Sequence, residues 1–288
     1  MKKCVLLSMD SLENFECYDT LTIEPLKNLG WHAEKISWRN TQVDWNNYDA
    51  VIIRSTWDYQ DNSQAFLRTL EMIDQSKAVL ANRLDTVKWN IDKKYLRDLE
   101  DGGTTIVPSI WGNNYSPEKL EEAFRSFNCE ELIIKPCVSA NADDTFRLKK
   151  DDTTIDHQNL TLVFKDRDFI IQPFMSSVVS EGEYSLFYFN GVYSHTILKK
   201  PKTNDFRVQE EHGGQLTKVE PEKLLIDTAN KTLELLHNTL YARLDFVRLG
   251  NQFALMEAEL IEPSLYFNMD NKAPARFAKA FADYMENI

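Results

Sequence analysis

A strand that carries acids on an otherwise apolar background must find cations for them or turn them to water. Near its end this chain has such a strand. The run Leu255-Met256-Glu257-Ala258-Glu259-Leu260-Ile261-Glu262-Pro263 follows a second strand-like run, Ala242-Arg243-Leu244-Asp245-Phe246-Val247-Arg248-Leu249. Successive side chains face opposite ways, so Glu257 and Glu259 share a face. If the runs pair as a hairpin with Leu249 opposite Phe253, Asp245 falls opposite Glu257 on that same face. Three negative charges then converge, and they repel one another unless a hard divalent cation sits among the oxygens.

The turn leaves the register open. Gly250-Asn251 suits a two-residue turn, which would set Asp245 against Met256 and spoil the convergence. A three-residue loop with a bulge restores it, and burial favours that choice. Val247, Leu249, Phe253 and Leu255 then share the carboxylate face, while Leu244, Phe246, Ala254, Met256 and Ala258 line the other. Arg243 faces Glu259 in this register and reads as its supporting partner. The alternative is a solvated sheet face whose acids only add solubility.

A chain of 288 residues with 43% hydrophobic and 11% aromatic content can bury a substantial core in two or more lobes. Acidic residues (45) outnumber Lys plus Arg (33), for a formal charge of −12. That balance argues against non-specific nucleic-acid binding, which needs a basic surface. Cys4, Cys17, Cys129 and Cys137 lack metal-type spacing and read as reduced thiols. No run has the length of a signal core or a membrane span, so a soluble cytoplasmic protein is expected.

The first third alternates strands and helices: strands at Cys4 to Met9, His32 to Trp38 and Ala50 to Thr56, helices at Thr20 to Leu29 and Asn62 to Asp74. Such alternation predicts a parallel sheet with ligands at the strands' carboxyl ends. The first strand is not followed by G-x-G-x-x-G, which argues against a dinucleotide dehydrogenase. A helix over Leu84 to Asp101 is broken by Gly102-Gly103, and Ser116-Pro117 starts another. Strands follow at Glu131 to Pro136, Thr145 to Lys149 and Asp168 to Met175, with a helix around Ile155 to Phe164. From Gly182 the pattern becomes antiparallel, with a hairpin across Asn190-Gly191. A helix from Pro221 to Asn238 precedes the acidic hairpin, and one from Pro274 to Glu286 closes the chain.

Lys135 stands in an apolar strand and is fixed by Pro136, a place where lysine needs an anion or a route to solvent. Gln172-Pro173-Phe174-Met175 ends a strand at a proline, freeing backbone groups that can meet a planar base by its edge. Arg54-Ser55-Thr56-Trp57-Asp58-Tyr59 follows the third strand, where Arg54 suits a substrate carboxylate and Trp57 packs beside it. A packed lobe interface explains Trp57 equally well.

The order of these parts resembles the ATP-grasp superfamily. Asp92-Lys93, the Ile-Ile-Lys135-Pro strand, the Gln172-Pro-Phe174-Met175 exit, Gly182-Glu183, and Asp245 with Glu257-x-Glu259 occur in its sequence order. The segment from Asp168 to Pro263 is similar to prokaryotic glutathione synthetases. Arg54 to Tyr59, Lys135 to Ala140 and Asp205-Phe206-Arg207-Val208-Gln209 look like the cyclo-ligase group that makes D-cycloserine.

The resemblance implies an α/β fold (α+β lobes): a Rossmann-like pre-grasp domain over residues 1–84, a central lobe over 85–175 and a metal-bearing lobe over 176–288, the two lobes clamping ATP. It implies Lys93, Lys135 and Ser139 on the phosphates, Gln172, Phe174 and Met175 on adenine, and Glu183 on the ribose. Asp245, Glu257 and Glu259 would hold two Mg²⁺ ions, or Mn²⁺. Lys199 and Arg207 would steady the transferring phosphoryl group. Arg54, Ser55 and Trp57 would bind substrate, with the Gly213-Gly214 backbone approaching closely.

The implied reaction joins a small carboxylate to an amine through an acylphosphate, either within one molecule or between two. The alternative is a nucleotide-binding regulator without turnover. The family allows a homo-oligomer. Two departures are visible: Glu259 stands where the family carries asparagine, and the phosphate loop Ser139-Ala140-Asn141-Ala142-Asp143-Asp144-Thr145 is poor in glycine.

Overall fold

The computed structural model describes residues 1–139, 143–203, 205–210 and 213–288. The first part builds a parallel sheet from β1 (Lys2–Ser8), β2 (Trp31–Ser37), β3 (Ala50–Ser55) and β4 (Val79–Ala81), in the order β2-β1-β3-β4. Helices α1 (Ile23–Asn28) and α2 (Ser63–Asp74) supply the crossovers. Strict alternation sorts β1 and β3 between two cores. Val5, Leu7, Val51 and Ile53 pack with Phe66, Leu70 and Ile73 of α2, whereas Cys4, Leu6, Ala50 and Ile52 join Leu26 of α1.

Next come α3 (Leu84–Asn90) and α4 (Tyr95–Asp101). One helix was expected over this stretch. The backbone departs at Lys93, whose amide donates to the Cys137 carbonyl at 2.8 Å instead of continuing the helical ladder. That bond draws Lys93 toward the end of the strand that carries Lys135.

A second sheet is antiparallel, with order β5-β8-β6-β7. It comprises β5 (Ile110–Asn113), β6 (Glu131–Pro136), β7 (Phe146–Lys149) and β8 (Asp168–Pro173), backed by α5 (Pro117–Phe127) and α6 (His157–Val163). Leu132, Ile134, Phe169 and Ile171 meet Leu120 and Phe124 of α5 and Leu160 of α6 in its core.

After the short α7 (Ser177–Ser180), a third sheet runs β11-β10-β9-β12-β13. Its members are β9 (Glu183–Phe189), β10 (Val192–Lys200), β11 (Gln215–Val219), β12 (Tyr241–Leu249) and β13 (Gln252–Glu259), with α8 (Lys223–Leu233) after β11 and α9 (Ala273–Glu286) at the end. Phe277 and Phe281 of α9 share a core with the first sheet and with Phe187 and Phe189 of β9. Strands β4, β5 and β11 were not read from the sequence, and the helix at 221–238 is regular only over α8.

The β12–β13 hairpin has the expected pairing for a different reason. Asp245 lies opposite Glu257 and Arg243 opposite Glu259. The turn is the two-residue Gly250-Asn251, with Leu249 paired to Gln252 and Arg248, not Leu249, opposite Phe253. Gly250 takes the positive φ of 61° that such a turn requires. The register is recovered further along, where the ladder passes from Phe246–Leu255 to Asp245–Glu257 and leaves Met256 as the extra residue of a bulge. The bulge also reassigns the faces. Val247, Ala254 and Met256 pack together on one side, and Phe253 and Leu255 join Leu244, Phe246 and Ala258 on the other.

Among the described residues, no helix is long and apolar enough to cross a membrane. The four cysteines are unpaired.

Candidate functional site

A cleft lies between the second and third sheets and extends toward the first, where Phe15, Trp57 and Tyr59 reach it. Lys93, Lys135, Ser139, Gln172, Phe174, Met175, Glu183, Lys199, Arg207, Glu257 and Glu259 all line it. Residues separated by more than 160 positions are therefore brought to one place.

Each sheet contributes through its alternation. On β6, Leu132 and Ile134 are buried in the core while Ile133 and Lys135 turn to the cleft. Lys93 enters beside Lys135 from the break between α3 and α4. Its Nζ donates to the Ser139 carbonyl at 2.8 Å and lies 3.1 Å from Glu257 Oε1. Burial pushes the Lys135 pKa down and Lys93 adds to that push, while Glu257 opposes it. Two ammonium groups in one partly dry site suit a polyanion.

At the neighbouring strand exit, Gln172 Nε2 donates to Ser109 Oγ at 3.0 Å. The Arg147 guanidinium lies 3.7 Å from the Phe174 ring centroid, and Phe206 meets that ring edge-on at 6.3 Å. Met175 packs against Val107, Val178, Val208 and Val247. The result is an apolar slot with a polar edge.

The acids form a buried network with the cations. Lys199 Nζ lies 2.5 Å from Glu183 Oε1 and 3.5 Å from Asp245 Oδ2, and all three side chains are buried. Arg243 pairs with both Asp245, at 3.0 Å, and Glu259. Burial works against the Asp245 charge, yet Arg243 and Lys199 outweigh it and hold the carboxyl below its usual range. Glu257 is likewise lowered, with Lys93 and then Lys135 overcoming burial. Glu259 goes the other way: burial, helped by Asp245 and Glu257, pushes it up to about 7 against Arg243.

Glu257 and Glu259 face the cleft, whereas Asp245 is absent from its lining and accepts from Ser185 and Arg243. No group of three His, Cys, Asp or Glu side chains poised around a metal occurs among the described residues. The donor set nevertheless fits a hard cation. It is all oxygen, and Glu257 and Glu259 both open into the cleft.

Several expected positions fall elsewhere. Arg54 is 1% exposed and its guanidinium donates to Asp19 Oδ1 and the Pro263 carbonyl, each at 2.9 Å. It neutralises an acid of its own chain and does not line the cleft; Ser55 is buried beside it and does not line the cleft either. Gly213 and Gly214 are also outside the lining. A Cβ on Gly214 would come within 2.0 Å of the Val208 carbonyl oxygen, so this glycine admits a close approach of its own chain rather than of a ligand. Trp57 does reach the cleft, with its indole N–H bonded to the Glu262 carbonyl at 2.9 Å. Of the phosphate loop, Ala140, Asn141 and Ala142 lie outside the described residues.

Glu262, Tyr59 and Phe15 line the cleft without having been singled out in the sequence. Glu262 stood in the acidic run itself, three residues after Glu259, and its charge was the available signal.

Comparison with known proteins bears on the fold. Solved structures with the same arrangement include D-cycloserine synthetase DcsG, with a TM-score of 0.86 at 24% identity over 98% of this chain and 99% of that one. The chain has the ATP-grasp fold. The ATP-grasp ligase PsnB, solved with minimal precursor, Mg and ADP, superposes with a TM-score of 0.67 at 13% identity, covering 98% of each chain. Residues 4–82 match the family described as the N-terminal domain of D-cycloserine synthetase DcsG. The cycloserine biosynthesis protein DcsG of Streptomyces lavendulae is 27% identical over 281 residues, 92% of each chain.

Proposed function

We propose that this chain is an ATP-dependent ligase that activates a small carboxylate as an acylphosphate and joins it to an amine. The observation that carries the reading is the meeting of Lys93 and Lys135 with Glu257 in one cleft beside the apolar slot at Phe174 and Met175. In this reading Lys93, Lys135 and Ser139 bind the phosphates of ATP, while Gln172, Phe174 and Met175 hold adenine and Glu183 the ribose. Glu257 and Glu259 hold Mg²⁺, with Asp245 behind them and a second ion admitted if Arg243 yields it. The metal's contribution is to neutralise charge on the phosphates.

A substrate carboxylate oxygen attacks the γ-phosphorus and the bond to the ADP oxygen breaks. Arg207 faces the cleft and offers its guanidinium to the moving phosphoryl group; Lys199 keeps Glu183 and Asp245 in place. The amine nitrogen then attacks the acyl carbon, phosphate leaves, and the nitrogen loses a proton. The likeness to the cycloserine biosynthesis protein across 92% of the chain favours acid and amine residing in one molecule, so that the product is a small ring.

The test is nucleotide release with a panel of amino-acid-like acids. ADP and phosphate should appear only when an acceptor acid is present, and added hydroxylamine should divert the activated acid into a hydroxamate. Release of AMP and pyrophosphate, or ADP formation indifferent to the acid, would overturn the reading.

A further inference from the structure

Among the described residues, the carboxylates in and behind the cleft are matched with cations, save one. Glu183 has Lys199, Asp245 has Lys199 and Arg243, Glu257 has Lys93, Glu259 has Arg243, and nearby Asp205 has Arg207. Glu262 lines the same cleft, and among the described residues no lysine or arginine stands at ion-pair distance from it. The Tyr59 hydroxyl hydrogen-bonds its carboxyl, which leaves acceptor capacity unused. We propose that Glu262 holds the ammonium group of an amino-acid substrate in this cleft, a role that rests on the ligase reading of the same site.

The backbone around Glu262 is built to hold one orientation. Five successive carbonyls, from Leu260 to Ser264, each accept a side-chain hydrogen bond. Asn82 takes Leu260 at 2.7 Å and Tyr241 takes Ile261 at 2.8 Å. Trp57 takes Glu262 and Arg54 takes Pro263, both at 2.9 Å, and Arg243 takes Ser264 at 3.4 Å. Arg54 is itself clamped by Asp19 and lies 5.1 Å from the Tyr241 ring centroid. Arg54 belongs to β3, Trp57 follows it and Asn82 follows β4, so the first sheet fixes the segment that leaves the third. A strand exit held on five points presents its one cleft-facing acid rigidly, as a recognition group requires.

The chemistry selects the ligand class. An acid left without an ion-pair partner in a cleft gains most from a ligand that brings a positive charge and N–H donors. Burial and the nearby Glu259 and Glu257 push the Glu262 carboxyl up to about 8, the mark of an acid short of compensation. An ammonium group supplies it. A deaminated acid of the same size does not. Arg54 and Trp57 are thus positioning residues for Glu262.

The experiment compares the wild-type chain with Glu262→Gln, which keeps size and the Tyr59 contact. Binding of D- and L-amino acids, each beside its deaminated acid, is followed by calorimetry in the presence of Mg-ADP, with ADP release from ATP recorded in parallel. The wild type should prefer at least one amino acid over its deaminated partner by about tenfold or more, and the variant should lose that preference by weakening the amine form alone. Trp57→Phe, which removes the indole donor and keeps the ring, should lower the same ratio part of the way.

A preference retained in Glu262→Gln overturns the proposal, as does a wild type that binds no member of the panel in an amine-dependent way. Amine-dependent binding without ADP release would sink the ligase reading and leave the Glu262 role standing. ADP release with an unchanged preference in the variant would do the reverse. Unaltered Mg-ADP binding serves as the check that the variant is folded.

Discussion

Lys135 and Glu257 line the same cleft, where burial drives the Lys135 pKa down against Glu257, while Lys93 and then Lys135 hold Glu257 low against burial. Replacing Lys135 by Met keeps the stem packed beside Ile133 and removes one charge-assisted contact to phosphate. Nucleotide affinity should fall about ten- to a hundredfold, as calorimetry with ADP would read, with little change in melting temperature. Glu259 and Glu262 give a pH signature. Their folded pKa values, about 7 and about 8, exceed the ordinary 4.5, so between these limits the folded chain binds more protons than the unfolded one. Their contribution to stability is complete below pH 4.5 and is lost as pH rises toward 8. The ligand-free protein should melt at a lower temperature at pH 8 than at pH 6, and Glu262→Gln should flatten the upper part of that profile. An identical profile in the variant would contradict the assignment.

The Met256 bulge decides whether the hairpin is a site or merely a pair of strands. With Met256 present, an unbulged ladder would set Met256 against Asp245 and turn Glu257 to the face held by Leu255, whereas deleting Met256 carries Leu255–Phe246 straight to Glu257–Asp245 and leaves Glu257 on its present face. Mg-dependent nucleotide binding should therefore survive deletion of Met256; its loss would contradict this register. Sequence reasoning reached the Asp245–Glu257 pairing through the need to gather the acids, but placed the extra residue in the turn. A bulge has no local marker comparable to Gly-Asn, because any residue with room to be unpaired can occupy it. The strand identities of β6, β8, β9, β10, β12 and β13 were legible because their apolar runs are bounded by turn residues. Strands β4, β5 and β11 have three to five residues and owe their existence to the partners they pair with. Gly214 was misread for a similar reason: a glycine signals that something comes close, and only the fold shows that the neighbour is Val208.

At the scale of the whole molecule, single side chains hold the first sheet to the third. Asn82 is fully buried, donates to the carbonyls of Tyr241 and Leu260 and accepts from the Leu240 amide. Asn82→Ala would strand three buried backbone groups at about 1–3 kcal/mol each, so denaturation should show a loss of several kcal/mol. Arg54 belongs to the same seam. Arg54→Met leaves Asp19 buried and uncompensated and should destabilise by about 3–5 kcal/mol, with a substrate effect following from the displaced 262–264 segment. A variant of unchanged stability with only weakened substrate binding would instead make Arg54 a direct substrate contact. Sequence pointed to Arg54 as a carboxylate partner, and it is one; that the carboxylate is Asp19, 35 positions earlier, follows from the sheet order alone. The central claim is that the cleft between the second and third sheets holds a magnesium nucleotide between two lysines and an acidic strand. Its most direct measurement is calorimetric titration of ADP with and without Mg²⁺ into the wild type, Lys135→Met and Glu257→Gln. Binding should require Mg²⁺ in the wild type, weaken in Lys135→Met, and lose its Mg²⁺ dependence in Glu257→Gln; equal binding by all three proteins, with or without the metal, would contradict it.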